Sequence, residues 1–285
     1  MIQTDVYKKP QSSLLLQQCE DEMLYRIQEN EPSRFHLESG GNRTRAKLCI
    51  DAGLALQMPT KAIVSLACCI ELLHNASLVH DDLQDADDTR RGRESVWKKF
   101  GKAQAICAGD LMLSAAFGAL ADIGLHESLP TLFTHTQQAV AKTIQGQSRD
   151  LDAKSNMTMQ EYEDIASMKS GPLIQLTMVL PLIHAGYFQH INTVNTALSK
   201  FSVVYQIVDD LADWEHDLQA KQLNLVNLLA TQSTTNEAIL VAQNRAKNLL
   251  KQVVEELQIL PTNCGLAFVD AANNLLTKAK SGLHE

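Results

Sequence analysis

The pattern Asp-Asp-x-x-Asp occurs twice in this chain, as Asp81-Asp82-Leu83-Gln84-Asp85 and as Asp209-Asp210-Leu211-Ala212-Asp213, and each copy directly follows an apolar run. Before the first copy Ile63, Leu66, Ala67, Ile70, Leu73, Leu78 and their neighbours recur at spacings of three and four; before the second, Phe201, Val204, Ile207 and Val208 do the same. That period belongs to a helix with a buried side. On such a helix Asp81 and Asp85 lie one turn apart on one face, and so do Asp209 and Asp213. Stacked like charges cost roughly a few tenths of a kcal/mol per pair when exposed, and more beside a buried surface. Whatever this chain folds into must end two buried helices in carboxylate clusters and bring something cationic to each.

The rest of the chain reads as helix too. Gly (13) and Pro (7) are scarce for 285 residues, which leaves few of the punctuators that sheet-rich folds need at their turns. Apolar residues make up 45% and aromatics only 5%, a balance that suits helices packed on helices and excludes disorder. Breaks at Pro and Gly divide the sequence into helical stretches at 11–30, 42–57, 60–86, 102–124, 127–151, 159–187, 189–213, 222–230, 235–258 and 263–281; EPSRFHLESGG, over 31–41, reads as a loop. With no internal repeat and no Gly-, Ser- or Pro-rich linker, residues 1–285 are expected to form one all-α domain.

The net charge of −8, from 33 acids against 25 bases, argues against nucleic acid and anionic lipid as partners. The excess is local. Residues 81–89 and 209–217 hold five acids each and no Lys or Arg, and the remainder carries 23 acids against 25 bases. Near the N-terminus the longest apolar run is three leucines, and no later run reaches spanning length, so no membrane span is expected. Six cysteines (Cys19, Cys49, Cys68, Cys69, Cys107 and Cys264) form no CxxC pair and sit in apolar surroundings, which predicts free buried thiols and a reducing cytoplasm.

Carboxylates gathered around one space suit hard divalent cations, and Mg²⁺ takes one or two of them and completes its shell with phosphate oxygens. An EF-hand is excluded, because Leu83 and Ala86 stand where that loop needs an acid and a glycine. One such cluster alone would read as a solvated acidic helix end; two of identical form, each ending an apolar helix, favour a metal-phosphate site. Basic residues supply the anion side. Arg90-Arg91-Gly92 lies just beyond the first cluster, Gly40-Gly41-Asn42-Arg43-Thr44-Arg45 opens an earlier helix, and Lys169-Ser170-Gly171 lies between the two clusters. Arginine forks and helix N-termini are ready receptors for phosphate. Each group alone would be surface charge; together with the acidic clusters they describe a site for Mg²⁺ and two diphosphates.

The segments IELLHNASLVHDDLQDADDTRRG, YQIVDDLAD, GGNRTRA and KSG resemble the first and second aspartate-rich regions, the glycine-basic motif and the middle lysine motif of the trans-isoprenyl diphosphate synthases, the polyprenyl synthetase family; GQSRDL and AGDLMLSAAF resemble two further family segments. The resemblance covers essentially the whole chain. It implies an all-α isoprenoid synthase fold, a single-domain helical bundle around a central cavity, usually in a homodimer. It implies Asp81, Asp85 and Asp209 as the main ligands of up to three Mg²⁺ ions, with Asp82, Asp210 and Asp213 in support. By the same resemblance Arg90, Lys169, Ser170, Gln206 and Lys221 hold an allylic diphosphate, and Arg45, His74 and Arg91 hold isopentenyl diphosphate. His74 lies seven residues before Asp81, two turns along the same face, which agrees with that role. The implied chemistry is ionisation of the allylic C–O bond, attack by isopentenyl diphosphate and loss of a proton, inside a dry apolar cavity. Ala76 and Ser77, one turn before Asp81, are small where bulky family members block a growing chain; this implies a product longer than farnesyl, C20 or more, with Leu73 one turn deeper as the next side chain able to close the tunnel.

Two departures from the family pattern bear on this. Asn42 stands where the family carries a lysine for isopentenyl diphosphate, with Arg43 beside it as a replacement cation, and the Gly-Lys stretch expected after Asp213 is missing, with Lys221 as its substitute. Loss of that charge fits a terpene cyclase on the same scaffold, which would ionise a prenyl diphosphate without condensation. Retention of Arg45, His74 and Arg91 places condensation first. A third reading, a noncatalytic regulatory subunit of a prenyl synthase, is disfavoured because such a subunit has no need of two intact acidic clusters.

Overall fold

The computed structural model describes residues 5–124, 126–152, 157–220 and 222–281. Apart from one two-stranded hairpin, the regular structure of these residues is helical, as the composition predicts. Their contacts group into two compact units, Met1–Gln137 with Leu176–Phe188, and Gln138–Gln175 with Gln189–Glu285.

In the first unit α1 (Asp5–Arg26), α2 (Glu31–Glu38) and α3 (Thr44–Ala55) precede the long α4 (Thr60–Gln84). A hairpin of β1 (Thr89–Arg90) and β2 (Arg93–Glu94) leads to α5 (Val96–Phe100) and α6 (Lys102–Ala121). Helix α4 packs against α6, α3 and α1 and is the core of the unit. Ile63, Leu66, Ala67, Cys68, Cys69, Ile70 and Leu72 are wholly enclosed, so the helix is buried nearly all round. Each fully buried Leu or Ile contributes about 1.5–3 kcal/mol relative to exposure.

Several sequence expectations are corrected here. The stretch 31–41 is not all loop: Asn30 accepts a hydrogen bond from the Ser33 amide at 3.0 Å, Pro32 sits in the first turn, and α2 buries His36 and Leu37. The hairpin and α5 fall in a gap between the expected helices. Both α4 and α6 are long and apolar enough by length and composition to cross a membrane, because the apolar tally survives interruption by single polar residues such as Glu71. The qualifying window of α4 is 78% buried inside the protein and that of α6 only 39%. Cys107, on α6, is exposed, whereas the other five cysteines are buried.

The second unit is organised around α10 (Ile191–Ala220), which packs against α12 (Thr235–Leu257), α8 (Met159–Lys169), α11 (Leu225–Ala230) and α13 (Leu266–Ser281). Helices α8 and α12 start with capping boxes, Thr158 with Glu161 and Thr234 with Glu237. The Arg245 guanidinium clamps α12 to α8 through two bonds to the Glu163 carboxylate, at 2.6 and 2.7 Å. The stretch expected as one helix over 159–187 is two, α8 and α9 (Gly171–His184), divided at Ser170. In the other direction, α10 does not stop at Asp213 but continues for two turns to Ala220.

The chain passes from one unit to the other within α7 (Leu129–Leu151), within α9, and again between Phe188 and Gln189.

Candidate active site

The first acidic cluster occupies the last turn of α4, where unsatisfied carbonyls already carry partial negative charge. The helix is closed tightly: Asp85 N–H donates to the Asp81 carbonyl at 2.8 Å, and Asp87 N–H donates back to the Asp82 carbonyl at 2.9 Å across Ala86, whose φ is 58°. Asp82 has no exposed surface, while Asp81 and Asp85 are half-buried. Arg90 donates from Nε (2.7 Å) and Nη2 to one oxygen of Asp82, and the other oxygen, Oδ2, is buried without a hydrogen-bond partner. Burial outweighs the arginine, and the Asp82 carboxyl is raised above its usual range.

The hairpin turn is Arg91-Gly92, both with positive φ (54° and 72°), the pair of left-handed residues that a two-residue turn matched to strand twist requires. It directs Arg91 onto the Gly40 carbonyl and, from Nη2 at 3.4 Å, onto Asn75 Oδ1. Gly41 has φ 117°, a conformation that strains any L side chain, and a Cβ there would also lie 2.7 Å from the Arg91 guanidinium carbon and displace it. Arg45 Nη1 lies 3.0 Å from His74 Nε2. Arginine always donates, so His74 accepts through Nε2 and is neutral; burial, followed by the charges of Arg45 and Arg91, holds its pKa well below the usual value. A buried network supports these cations. His36 Nε2 lies 3.1 Å from Asn75 Oδ1, Asn75 Nδ2 donates to the Glu71 carbonyl at 2.7 Å, and Glu71 Oε2 accepts from the Ala46 amide at 3.1 Å.

Arg43 is not a replacement cation for the missing lysine. It adopts a left-handed backbone (φ 49°) and turns inward, donating from Nε to Glu20 at 3.0 Å and from Nη2 to the Leu37 carbonyl at 2.7 Å, while Asn42 is exposed. Leu73 and Ala76 are buried, and Ser77 is half-buried with its hydroxyl bonded to the His74 carbonyl at 2.8 Å.

In the second unit Lys169, in the last turn of α8, donates to Asp150 Oδ2 on α7 at 2.5 Å. The backbone there is close: a Cβ on Gly146 would fall 2.4 Å from the Met168 carbonyl carbon. Ser170 caps α8 and is half-buried. Asp209 and Asp213 are exposed on α10, whereas Asp210 is 1% exposed. Asp210 Oδ2 accepts from the Tyr162 hydroxyl at 2.7 Å and the Leu225 amide at 2.6 Å, and Oδ1 accepts from Gln206 Nε2 at 2.8 Å. Burial pushes the Asp210 carboxyl up to about 6 against these donors. Gln206 is thus tied to the acidic cluster, and Lys221 lies outside the described residues.

Sequence reasoning missed the residues that build this geometry: His36, Glu71 and Asn75 in the first unit, Asp150 and Tyr162 in the second. Asp150, inside GQSRDL, and Glu71 and Asn75, inside IELLHNASLVHDDLQDADDTRRG, lay in segments already singled out; His36 and Tyr162 had no such signal.

A family model described as polyprenyl synthetase matches residues 28–259, a span that holds both acidic clusters and every basic group above. The chain belongs to the polyprenyl synthetase family. It is 27% identical over 205 residues to a short chain isoprenyl diphosphate synthase of Methanocaldococcus jannaschii, covering 70% of this chain and 63% of that one. It is 31% identical over 196 residues to a farnesyl diphosphate synthase of Geobacillus stearothermophilus, covering 64% of each. These matches therefore span somewhat less than two thirds of the relatives' own length. The crystal structure of geranylgeranyl pyrophosphate synthetase from Pyrococcus horikoshii Ot3 superposes with a TM-score of 0.84 at 24% identity, over 95% of this chain and 99% of that one. The fold of this family member is accordingly the all-α isoprenoid synthase fold.

Proposed function

We propose that the chain, as one polyprenyl synthetase domain, is a Mg²⁺-dependent trans-prenyltransferase that condenses isopentenyl diphosphate with an allylic diphosphate to give a polyprenyl diphosphate of C20 or longer. The observation that carries this reading is the second anion-binding group of the first unit. Arg45 with His74, and Arg91, are set on a buried scaffold of Asn75, Glu71 and Ala46 that an enzyme which only ionised a prenyl diphosphate would not need.

The residues present fit Mg²⁺. The donors are hard carboxylate oxygens and Asp82 keeps a buried oxygen without a partner, while among the described residues no three acidic, His or Cys side chains stand close enough to hold a metal ion by themselves, so phosphate oxygens and water are needed to complete a shell. In this reading Asp81 and Asp85 are the metal ligands of the first unit, with Asp82 in support, and Asp209 and Asp213 are those of the second, with Asp210 in support. Mg²⁺ bound there supplies the positive charge that stabilises a departing diphosphate. The groups for the allylic diphosphate are Arg90 in the first unit and Lys169, Ser170 and Gln206 in the second; within its own unit each of the two cations is held by a carboxylate, Asp82 for Arg90 and Asp150 for Lys169. Arg45, His74 and Arg91 orient isopentenyl diphosphate, with neutral His74 as a hydrogen-bonding rather than a charged group. Ala76 and Ser77 leave room for a long chain.

The exposed side of α6 supports a homodimer. Ala103, Ile106 and Cys107 face outward on a helix of high mean hydropathy, and a second copy is the occupant the family implies for such a face. Five buried thiols fit a cytoplasmic setting. The test is transfer of label from isopentenyl diphosphate into an acid-labile prenyl product in the presence of Mg²⁺ and an allylic primer. Asp81→Ala should lower turnover by about two orders of magnitude or more, as loss of a catalytic metal ligand does. Unchanged turnover in that variant would refute the metal assignment.

A further inference from the structure

The charge of Asp210 is enclosed by neutral donors: the Tyr162 hydroxyl, the Leu225 amide and the Gln206 amide. Among the described residues no Lys, Arg or His side chain forms an ion pair with it, and the foremost charge acting on it is that of another acid, Asp217. Neutral donors offset the desolvation of a carboxylate only in part. A cation held by the adjoining Asp209 and Asp213 would complete the compensation, because a fixed charge in low-dielectric surroundings attracts a cation without being its ligand.

The rotation of α10 around this cluster needs explaining as well. Asp213, Glu215, His216, Leu218 and Gln219 are exposed, so packing does little to orient the last turns of the helix. Polar clips do this instead. Asn224 Nδ2 donates to the Asp210 carbonyl and to Asp217 Oδ2, both at 2.9 Å, while Asn224 Oδ1 caps α11 by accepting from the Val226 amide. On the other flank, the Tyr162 hydroxyl reaches Asp210 from α8, the helix that ends in Lys169.

We propose that Tyr162 and Asn224 are positioning residues for the second aspartate cluster: they hold the Asp210 carboxylate as a fixed negative charge beneath Asp209 and Asp213 and set the rotation that turns those two outward. Neither touches the metal or the substrate. The proposal rests on the metal-diphosphate reading above.

The test is Mn²⁺ binding by electron paramagnetic resonance in the presence of inorganic diphosphate, with unfolding temperature measured in parallel on the full chain. Tyr162→Phe removes the hydroxyl alone. Asn224→Ser keeps a helix cap but removes the bridging amide, and serves if the first variant folds poorly. Arg245→Gln breaks the Glu163 clamp elsewhere on α8 and reports a purely structural loss. We expect each positioning variant to raise the Mn²⁺ concentration at half occupancy about tenfold, the effect of removing one hydrogen bond to a charged group. Arg245→Gln should lower the unfolding temperature and leave the Mn²⁺ titration where it was. Wild-type Mn²⁺ titrations in Tyr162→Phe and Asn224→Ser, with only the unfolding temperature lowered, would overturn the proposal. Failure of the wild-type protein itself to take up Mn²⁺ with diphosphate would overturn the metal reading, and the proposal with it.

Discussion

Asp82 and Asp210 hold the same place in the two aspartate patterns, and the structure treats them alike: both are buried, while the aspartates flanking them face outward or lie half-buried. Helical spacing showed that the first and last aspartates of each pattern share a face. It did not show that the second turns toward the packed side of its helix, because that depends on which neighbour covers it. Arg43 makes the same point. Its position beside Asn42 suggested a spare cation, but a left-handed backbone and the acceptors Glu20 and Leu37 commit it to the interior. His36 gives a test at this scale. It is buried against Asn75, and burial, then the charge of Arg91, lowers its pKa from 6.5 to about 3. The neutral ring is the form the fold prefers, so its contribution to stability is complete above pH 6.5 and is lost as pH falls toward 3. Over that window one extra proton on the unfolded chain costs about 1.4 kcal/mol per pH unit. His36→Gln, which keeps a donor for Asn75, should flatten the acid side of the stability curve by about that slope in urea titrations at pH 4.5–6.0. An unaltered slope would mean that His36 titrates normally.

At the scale of elements, the long helices were legible because their signals are local: apolar spacing along α4 and α10, and glycine or proline at most breaks. What was not legible depends on partners distant in sequence. Helix α2 is short and derives its stability from burying His36 and Leu37, and the hairpin is held by Arg91 reaching Gly40, 51 residues away. Gly146 belongs to the same class. Within GQSRDL it looks like a weak point in α7, yet it lets α7 approach the last turn of α8 to within backbone contact and brings Asp150 to Lys169. Gly146→Ala gains up to about 1 kcal/mol of helix propensity but loses more through overpacking, roughly 1–3 kcal/mol, because backbone cannot yield as a side chain can. The variant should show a lower urea midpoint and a raised KM for the allylic substrate. A stabilised protein with unchanged KM would show that the α7–α8 contact does not position Lys169.

For the whole molecule, locating the charge matters more than counting it. The acidic excess resides in the two aspartate regions, and the rest of the chain is close to neutral, so the composition reports the proposed site rather than a general surface property. Family and fold follow from the matches and need no detail of the site, whereas product length depends on a few side chains. Ala76 is the sharpest of these. If it faces the chain-elongation cavity, Ala76→Phe shortens the product at nearly unchanged stability; if it is ordinary core, the product is unaltered and overpacking lowers stability by about 1–3 kcal/mol. Product mass and unfolding midpoint, measured on the same variant, separate the two. In the proposed function the protein joins two diphosphate substrates rather than only ionising one. The most direct test is mass analysis of the products formed from isopentenyl diphosphate and allylic primers of increasing length in Mg²⁺. The account predicts consumption of isopentenyl diphosphate and primers extended in five-carbon steps to C20 or beyond. Release of diphosphate and a hydrocarbon from the primer, with isopentenyl diphosphate untouched, would contradict it.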